Sequence, residues 1–425
     1  MNTDKHRFFE SWMVGSFSAA TKLIFKIGHL SAFICVNLWI ASSVFPQEKG
    51  KDARWESAGK QGIGTALSLN SRVWFTLQGG SLTEVFHPTA DNANVQLLQF
   101  VVVDPKTKRV EKERDDAVHS IRTLRTDSLS FQQVNKAKSG EWTIIKTYTT
   151  DIERDSILID VQFQTKNKAL NLYVYYDPSL ANSGLNDEGR TLGNRLSALD
   201  VTKSDNAASV LGFSVPVEEL HNGYSGISDG LEQLAKEGKI TNQVSRITSG
   251  NVVQMAKISK PNSFTMVLSF AKNILTAGEL ARISLNKGFI KASAEYDKLW
   301  SDHVKTLPRV EPKFQAQFNF AAMVLRASED KTFRGGNVAS LSKPWIPVGD
   351  ANGPYVGGYH LVWSRDLYQV ATAYMALGDK ESANRALEYL FTKQQKPDGS
   401  YPQISWLDGR PLGDGLQMDE VAYPL

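Results

Sequence analysis

Tyr359, Trp363, Arg365 and Asp366, in the stretch GGYHLVWSRDLYQ, are the side-chain types that a monosaccharide unit requires of its binding site. Trp and Tyr offer apolar faces for a sugar ring, while Arg supplies a fork of donors and Asp an acceptor for adjacent hydroxyls. The same Arg365 and Asp366 also suit a plain helix start, where the macrodipole favours a carboxylate. Spacing alone leaves these two readings level. A second group, Tyr401, Trp406, Asp408, Arg410 and Asp414, follows in a loop, with Gln417, Asp419 and Glu420 in the next helical turn. Asp408-Gly409 and Asp414-Gly415 have turn chemistry, whereas Trp406, a loop tryptophan beside carboxylates, fits the wall of a sugar pocket. Asp419 and Glu420 do not read as a catalytic pair: neighbours on a helix project about 100° apart and cannot flank one bond from opposite sides.

Other chemistries leave no mark. His87, His119, His303 and His360 lack ligand spacing, and there is no HExxH, CxxC or EF-hand pattern, so neither a metal nor a cofactor is expected. Walker, dinucleotide and Gly-x-Ser-x-Gly motifs are missing too, which weakens phosphoryl-transfer, dehydrogenase and serine-hydrolase readings. A net charge of +3 with dispersed basic residues gives no nucleic-acid stripe. A neutral substrate fits better, and 10% aromatic residues suit sugar stacking, although most such rings belong to cores.

Elements to position these residues are legible along 425 residues, enough for two domains or more. Short alternating runs bounded by turn residues fill the first half: Arg72 to Leu77, Leu82 to Phe86, Leu97 to Val103, Glu141 to Thr149, Ser156 to Gln164, Leu170 to Tyr176, Ser209 to Pro216, Val252 to Ile258 and Ser263 to Ala271. Gly79-Gly80 between the first two marks a hairpin. The pattern predicts an antiparallel β-sandwich. Near Ala277 the period becomes helical, with Leu280, Ile283, Leu285, Ile290, Ala294, Leu299 and Val304 on the expected faces, and Pro308 and Pro312 then punctuate. Further helices follow, around Phe314 to Arg326, from Trp363 to Leu377, after the capping Asp379, and from Gln417. They alternate with loops rich in Gly, Pro and aromatics, as in an α/α-barrel that gathers its long loops on one face.

Lys22 and Lys26, the apolar run Leu30 to Ile40 and small residues from Ala41 read as a secretory signal, with the mature start between Ala41 and Lys51. An uncleaved anchor is the alternative, though the run is short against the ~20 residues of a membrane span. Cys35, the lone cysteine, falls in this segment, so the mature chain needs no disulfide. The expected location is periplasmic or secreted.

Six stretches, GIGTALSLNSRVWFTLQGGSLTEVFHP, LQFVVVD, PWIPVGD, GGYHLVWSRDLYQVATAYMALGD, QQKPDGSYPQISWLDGRP and LQMDEVAYPL, together resemble prokaryotic glucoamylases and glucodextranases over about Gly62 to Leu425. The resemblance implies a multidomain β + α fold: a leader or anchor (1–45), a super-β-sandwich (46–276), a helical linker (277–312) and the first helices of an (α/α)6 barrel (313–425). It implies an exo-acting, inverting glucan 1,4-alpha-glucosidase that releases glucose from non-reducing ends. Alternatives are α-1,6 cleavage as in glucodextranase, a phosphorylase of similar build, or a carbohydrate-binding module without catalysis. Through it, Trp363, Arg365 and Asp366 are expected to bind hydroxyls of the terminal glucose, with Tyr359 lining the same subsite. The family's general acid and base, both Glu, are expected beyond Leu425, so this chain alone is expected to be inactive. The expected partner is an α-glucan, met by a monomer with no nucleic acid and no membrane contact after signal cleavage.

Overall fold

The computed structural model describes residues 49–423, apart from 52–53, 57–58, 203–206, 342–357, 414 and 416. The leader-like segment, the PWIPVGD motif and Asp414 therefore lie outside the described residues. Lys49–Leu425 forms one compact unit.

Alternation in the first half produces two nine-stranded antiparallel sheets. One runs Gly62–Gly64, Trp74–Gln78, Ser81–Phe86, Leu97–Asp104, Asn171–Asp177, Val252–Ile258 and Val217–Tyr224, with Ala93–Asn94 and Arg109–Lys112 on its flank. The other runs Arg246–Gly250, Asp187–Thr191, Leu196–Asp200, Ala208–Phe213, Ser263–Ala271, Ser156–Thr165, Trp142–Thr150, Phe131–Ala137 and Ala117–Thr123. Period two assigns each strand's faces. Ile157, Ile159, Val161 and Phe163 enter the core between the sheets, against Phe100, Val102, Leu172 and Val174. Leu158 points the other way, into a layer with Val210, Val267 and helix alanines. Each such burial contributes about 1.5–3 kcal/mol. Both central glycines of the expected hairpin take positive φ, +54° at Gly79 and +76° at Gly80, as a tight two-residue turn requires.

The segment expected as a helical linker is two helices, Ile274–Lys287 and Phe289–Thr306, parted at Gly288. Their inward faces differ from the expected ones. Ala277, Gly278, Ala281 and Ser284 are buried, while Ile290 is 87% exposed. Small side chains let the first helix lie close on the outer face of the second sheet, and bulkier Leu280 and Leu285 are left at its margins. The second helix inserts Tyr296 and Trp300 at the sandwich core, where the Trp300 indole donates to Thr65 O at 3.0 Å.

Helix Pro312–Ala327 follows, with proline in its first turn, then Ser364–Ala376 and Lys380–Tyr389 as a hairpin whose second member Asp379 caps, and finally Met418–Ala422. A second core joins these helices to the sandwich: Trp55, Trp74, Phe86 and Ala90 pack with Val362, Leu367, Tyr389, Tyr401 and Leu407. At this junction the Trp74 indole donates to Ala327 O at 2.8 Å, and Lys331 lies 4.7 Å over the same ring while donating to Thr65 Oγ1 and Ser71 O.

Burial drives the Lys331 ammonium down from 10.5 to about 7. Between those values the unfolded chain holds this proton and the folded chain does not, so stability rises with pH across that window and the penalty is complete below it. Replacing Lys331 by Met removes the group. Urea unfolding at pH 7.5 and 8.5 should find the wild type gaining about 1 kcal/mol more than Lys331→Met over that step. Equal gains would show that Lys331 titrates normally in the fold.

Candidate saccharide site

Two loops come together at the start of helix Ser364–Ala376. Val362 and Ser405 pair across them, with Val362 N to Ser405 O at 2.9 Å and the return bond at 3.0 Å. Trp406 follows directly and meets the His360 ring edge to face, centroids 5.5 Å apart. Burial holds that imidazole well below its ordinary value, hence neutral. Trp406 is fixed further by a tight turn, in which Gly409 N donates to Trp406 O at 2.9 Å and Trp406 N to Arg410 O at 2.8 Å. Asp408 accepts from Arg410 at its backbone and side chain, at 3.0 and 2.7 Å, which is the turn role expected of it.

Tyr359 and Trp363 stack, centroids 6.2 Å apart and planes within 20°. The contact arises before the helix begins: Tyr359 sits in a turn and Trp363 is the extended N-cap residue, so the four-residue spacing is not a helical turn. The Trp363 indole donates to Gly358 O at 3.0 Å, fixing its plane, while Tyr359 stays 41% exposed. An aromatic surface is thereby held open toward solvent.

Arg365 lies 5.8 Å from the Trp363 ring on its guanidinium side and pairs with Asp419 and, at 3.3 Å, with Glu420. Glu420 is buried. Its Oε2 accepts from Arg365 N at 2.7 Å and lies 2.7 Å from Ser364 Oγ, so a distant carboxylate caps this helix start in place of Trp363, whose side chain caps nothing. The Asp366 carboxylate, 40% exposed, lies 3.7 Å from Arg365. Half-burial raises its pKa against the lowering pull of Arg365. Among the described residues nothing comparable ties Asp366 down, whereas Arg365 is braced by Asp419 and Glu420.

Residues 45–305 of the chain match the family Glucodextranase, domain N, and residues 318–405 match Glycosyl hydrolases family 15. The chain belongs to the glucoamylase family. It is 35% identical over 382 residues to a glucoamylase of Clostridium sp. (strain G0005), covering 88% of this chain and 54% of that protein. The crystal structure of a bacterial glucoamylase complexed with acarbose aligns with TM-score 0.81 at 34% identity, over 88% of this chain and 56% of the other. The chain thus spans about half the length of these glucoamylases.

Of the residues expected at a glucoamylase sugar site, the structure gathers Tyr359, Trp363, Arg365 and Asp366 into one cluster and sets Trp406 against His360 beside it. Tyr401 does not join them. Its ring is fully buried in the core beneath the loop, where it packs rather than lines a pocket. Glu420, read in sequence only as a misplaced half of a pair, turns out to be the cap and brace. Among the described residues no group of three or more His, Cys, Asp or Glu is placed to hold a metal ion.

Proposed function

We propose that the protein is an exo-acting glucan 1,4-alpha-glucosidase whose terminal glucose is held by Tyr359, Trp363, Arg365 and Asp366. The observation that carries the reading is the cluster itself: a stacked aromatic surface, a braced guanidinium and a half-exposed carboxylate, in a chain related over most of its length to a glucoamylase. The relative crystallised with acarbose supports an α-glucan ligand. Inversion would use an acid to protonate the leaving oxygen and a base to activate water, with carboxyl groups roughly 6.5–9.5 Å apart. Asp419 and Glu420 are poor bearers of those roles, because both are committed to Arg365. The proposal therefore gives Asp419 and Glu420 a bracing role rather than a catalytic one, in helices that would belong to an (α/α)6 barrel, after export to the periplasm or medium. The glucodextranase N domain keeps α-1,6 chains open as the second ligand class.

Calorimetric titration of the 425-residue chain with acarbose, maltose and isomaltose tests this reading. Saturable binding of acarbose, with maltose above isomaltose, is expected. The reverse order would favour α-1,6 chains, and no heat with any of them would end the saccharide reading.

A further inference from the structure

The wall of the candidate site is anchored from outside the helical region, by a turn of the sandwich. Asp91, in the turn between Ser81–Phe86 and Ala93–Asn94, is buried, and its Oδ2 accepts from Leu407 N at 2.9 Å, across 316 residues of sequence. Leu407 directly follows Trp406. The other carboxylate oxygen accepts from Thr89 Oγ1 at 2.5 Å. One residue before Asp91 a reciprocal bond runs the other way: Ala90 N donates to Asp330 Oδ2 of the helical region at 2.9 Å, and Asp330 also ties Thr332 N and Phe333 N.

The turn that presents Asp91 is itself clasped. Asn182 Oδ1 accepts from Ala93 N at 2.7 Å, Asn182 Nδ2 donates to Asp91 O at 3.1 Å, and Ala181 N donates to Asn94 Oδ1 at 3.0 Å. Ser179, Ala181 and Asn182 hold φ of +38°, +53° and +70° to make these contacts, left-handed backbone that costs non-glycine residues energy. Burial pushes the Asp91 carboxyl up to about 6, a further cost that an ordinary surface turn does not carry. A strained clasp and a buried carboxyl thus both belong to the turn that reaches the backbone next to Trp406.

We propose that Asp91 is a positioning residue for the saccharide site: the sandwich sets the pose of Trp406 through the Asp91–Leu407 bond, and so tunes sugar affinity from the other module. The link to affinity rests on the reading of Trp406 as a wall of that site. The link to Trp406 pose stands on the hydrogen bonds alone.

Both can be read separately in the full chain labelled with 5-fluorotryptophan. The Trp406 fluorine signal is assigned by its loss in Trp406→Phe. Asp91→Ala removes the acceptor of Leu407 N altogether, whereas Asp91→Asn can keep it by turning its amide N–H2 to the Thr89 hydroxyl, so in Asp91→Ala the Trp406 signal should shift while those of Trp142 and Trp300, in the sandwich core, hold still. Acarbose affinity should fall about five- to twentyfold, yet change less than about twofold when Asp91→Ala is made in the Trp406→Phe background. Thr89→Val, which removes only the second donor, should shift the same signal less, and serves if Asp91→Ala loses its folded dispersion. A Trp406 signal unmoved in both variants overturns the proposal, as does an equal affinity loss with and without Trp406. Wild-type chain that binds no acarbose removes the saccharide reading instead, while the fluorine signal still decides whether Asp91 sets the Trp406 pose.

Discussion

Asp366→Ala should weaken acarbose binding by about ten- to a hundredfold and leave the melting temperature of the chain nearly unchanged. Two opposed roles for the carboxylate decide the size of each effect. As an acidic residue in the first turn of helix Ser364–Ala376, Asp366 contributes about 0.3 to 1 kcal/mol through the macrodipole. The helix keeps Glu420 as its cap in the variant, so most of the N-terminal stabilisation survives. As a carboxylate 40% exposed and 3.7 Å from Arg365, Asp366 has acceptor capacity left for the sugar hydroxyls of the proposed site. A hydrogen bond to a charged group is worth about 1.5–3 kcal/mol, which converts to the stated loss of affinity. In a chain that turns substrate over, displacement of the scissile bond adds to the fall in kcat/KM. Paired titration and thermal unfolding separate the two roles. Wild-type affinity, or a loss matched by unfolding, would reduce Asp366 to a helix-start residue.

How far the fold is legible depends on where each strand finds its partners. Val252–Ile258 and Ser263–Ala271 are located to the residue because turn residues bound them and both faces of each carry apolar side chains, one set in the sandwich core and the other in an outer layer. Phe131–Ala137 escapes the same reading. Its inward Gln133 and Asn135 are polar and are satisfied by Ser81 O, Gly80 O and the Tyr148 hydroxyl, partners that no local window contains. Val217–Tyr224 and Asp187–Thr191 are equally polar; the first takes its ladder from Val252–Ile258, and the second pairs with Leu196–Asp200 across a short connection on one side and with the distant Arg246–Gly250 on the other. Helix Ile274–Lys287 is found from its period, yet its buried face is misassigned. Hydrophobicity points to the leucines, while contact with a sheet rewards the small side chains that permit close approach.

The site divides in the same way. Tyr359, Trp363, Arg365 and Asp366 lie within eight residues and declare themselves by type. Trp406 is placed beside them by the pairing of Val362 with Ser405, which a loop-to-one-face architecture anticipates. The residues that hold this surface in place do not show in sequence. Glu420 reaches Arg365 N across 55 residues and Asp91 reaches Leu407 N across 316. A buried carboxylate accepting backbone N–H groups has no local signature, since only the fold decides which N–H groups arrive there.

Glu420→Ala is expected to be the converse of Asp366→Ala, lowering stability first and affinity as a consequence. The variant loses a fully buried carboxylate that accepts from Arg365 N and Ser364 Oγ and faces the Arg365 guanidinium at 3.3 Å. The first turn of the helix is left with an uncapped N–H, worth roughly 1–3 kcal/mol when buried, while the Ser364 hydroxyl keeps the Glu420 backbone O as its acceptor at 2.6 Å. Loss of negative charge at a helix N-terminus adds a few tenths more. The ion-pair share is smaller, because the Arg365 side chain is 35% exposed and retains Asp419, so water and the remaining carboxylate screen it. Together these give a destabilisation of about 1–3 kcal/mol for Glu420→Ala. Glu420→Gln keeps one acceptor and the volume, and should recover about half. Urea unfolding of the three chains measures this, and acarbose titration below the transition supplies the second reading: affinity should fall in the order wild type, Gln, Ala, because the N–H and guanidinium of Arg365 both lean on Glu420. If Glu420→Ala unfolds with the wild type, the capping geometry is not holding the helix start. If it is destabilised but binds acarbose normally, Arg365 keeps its pose through Asp419 alone, and Glu420 is a cap without a part in the site.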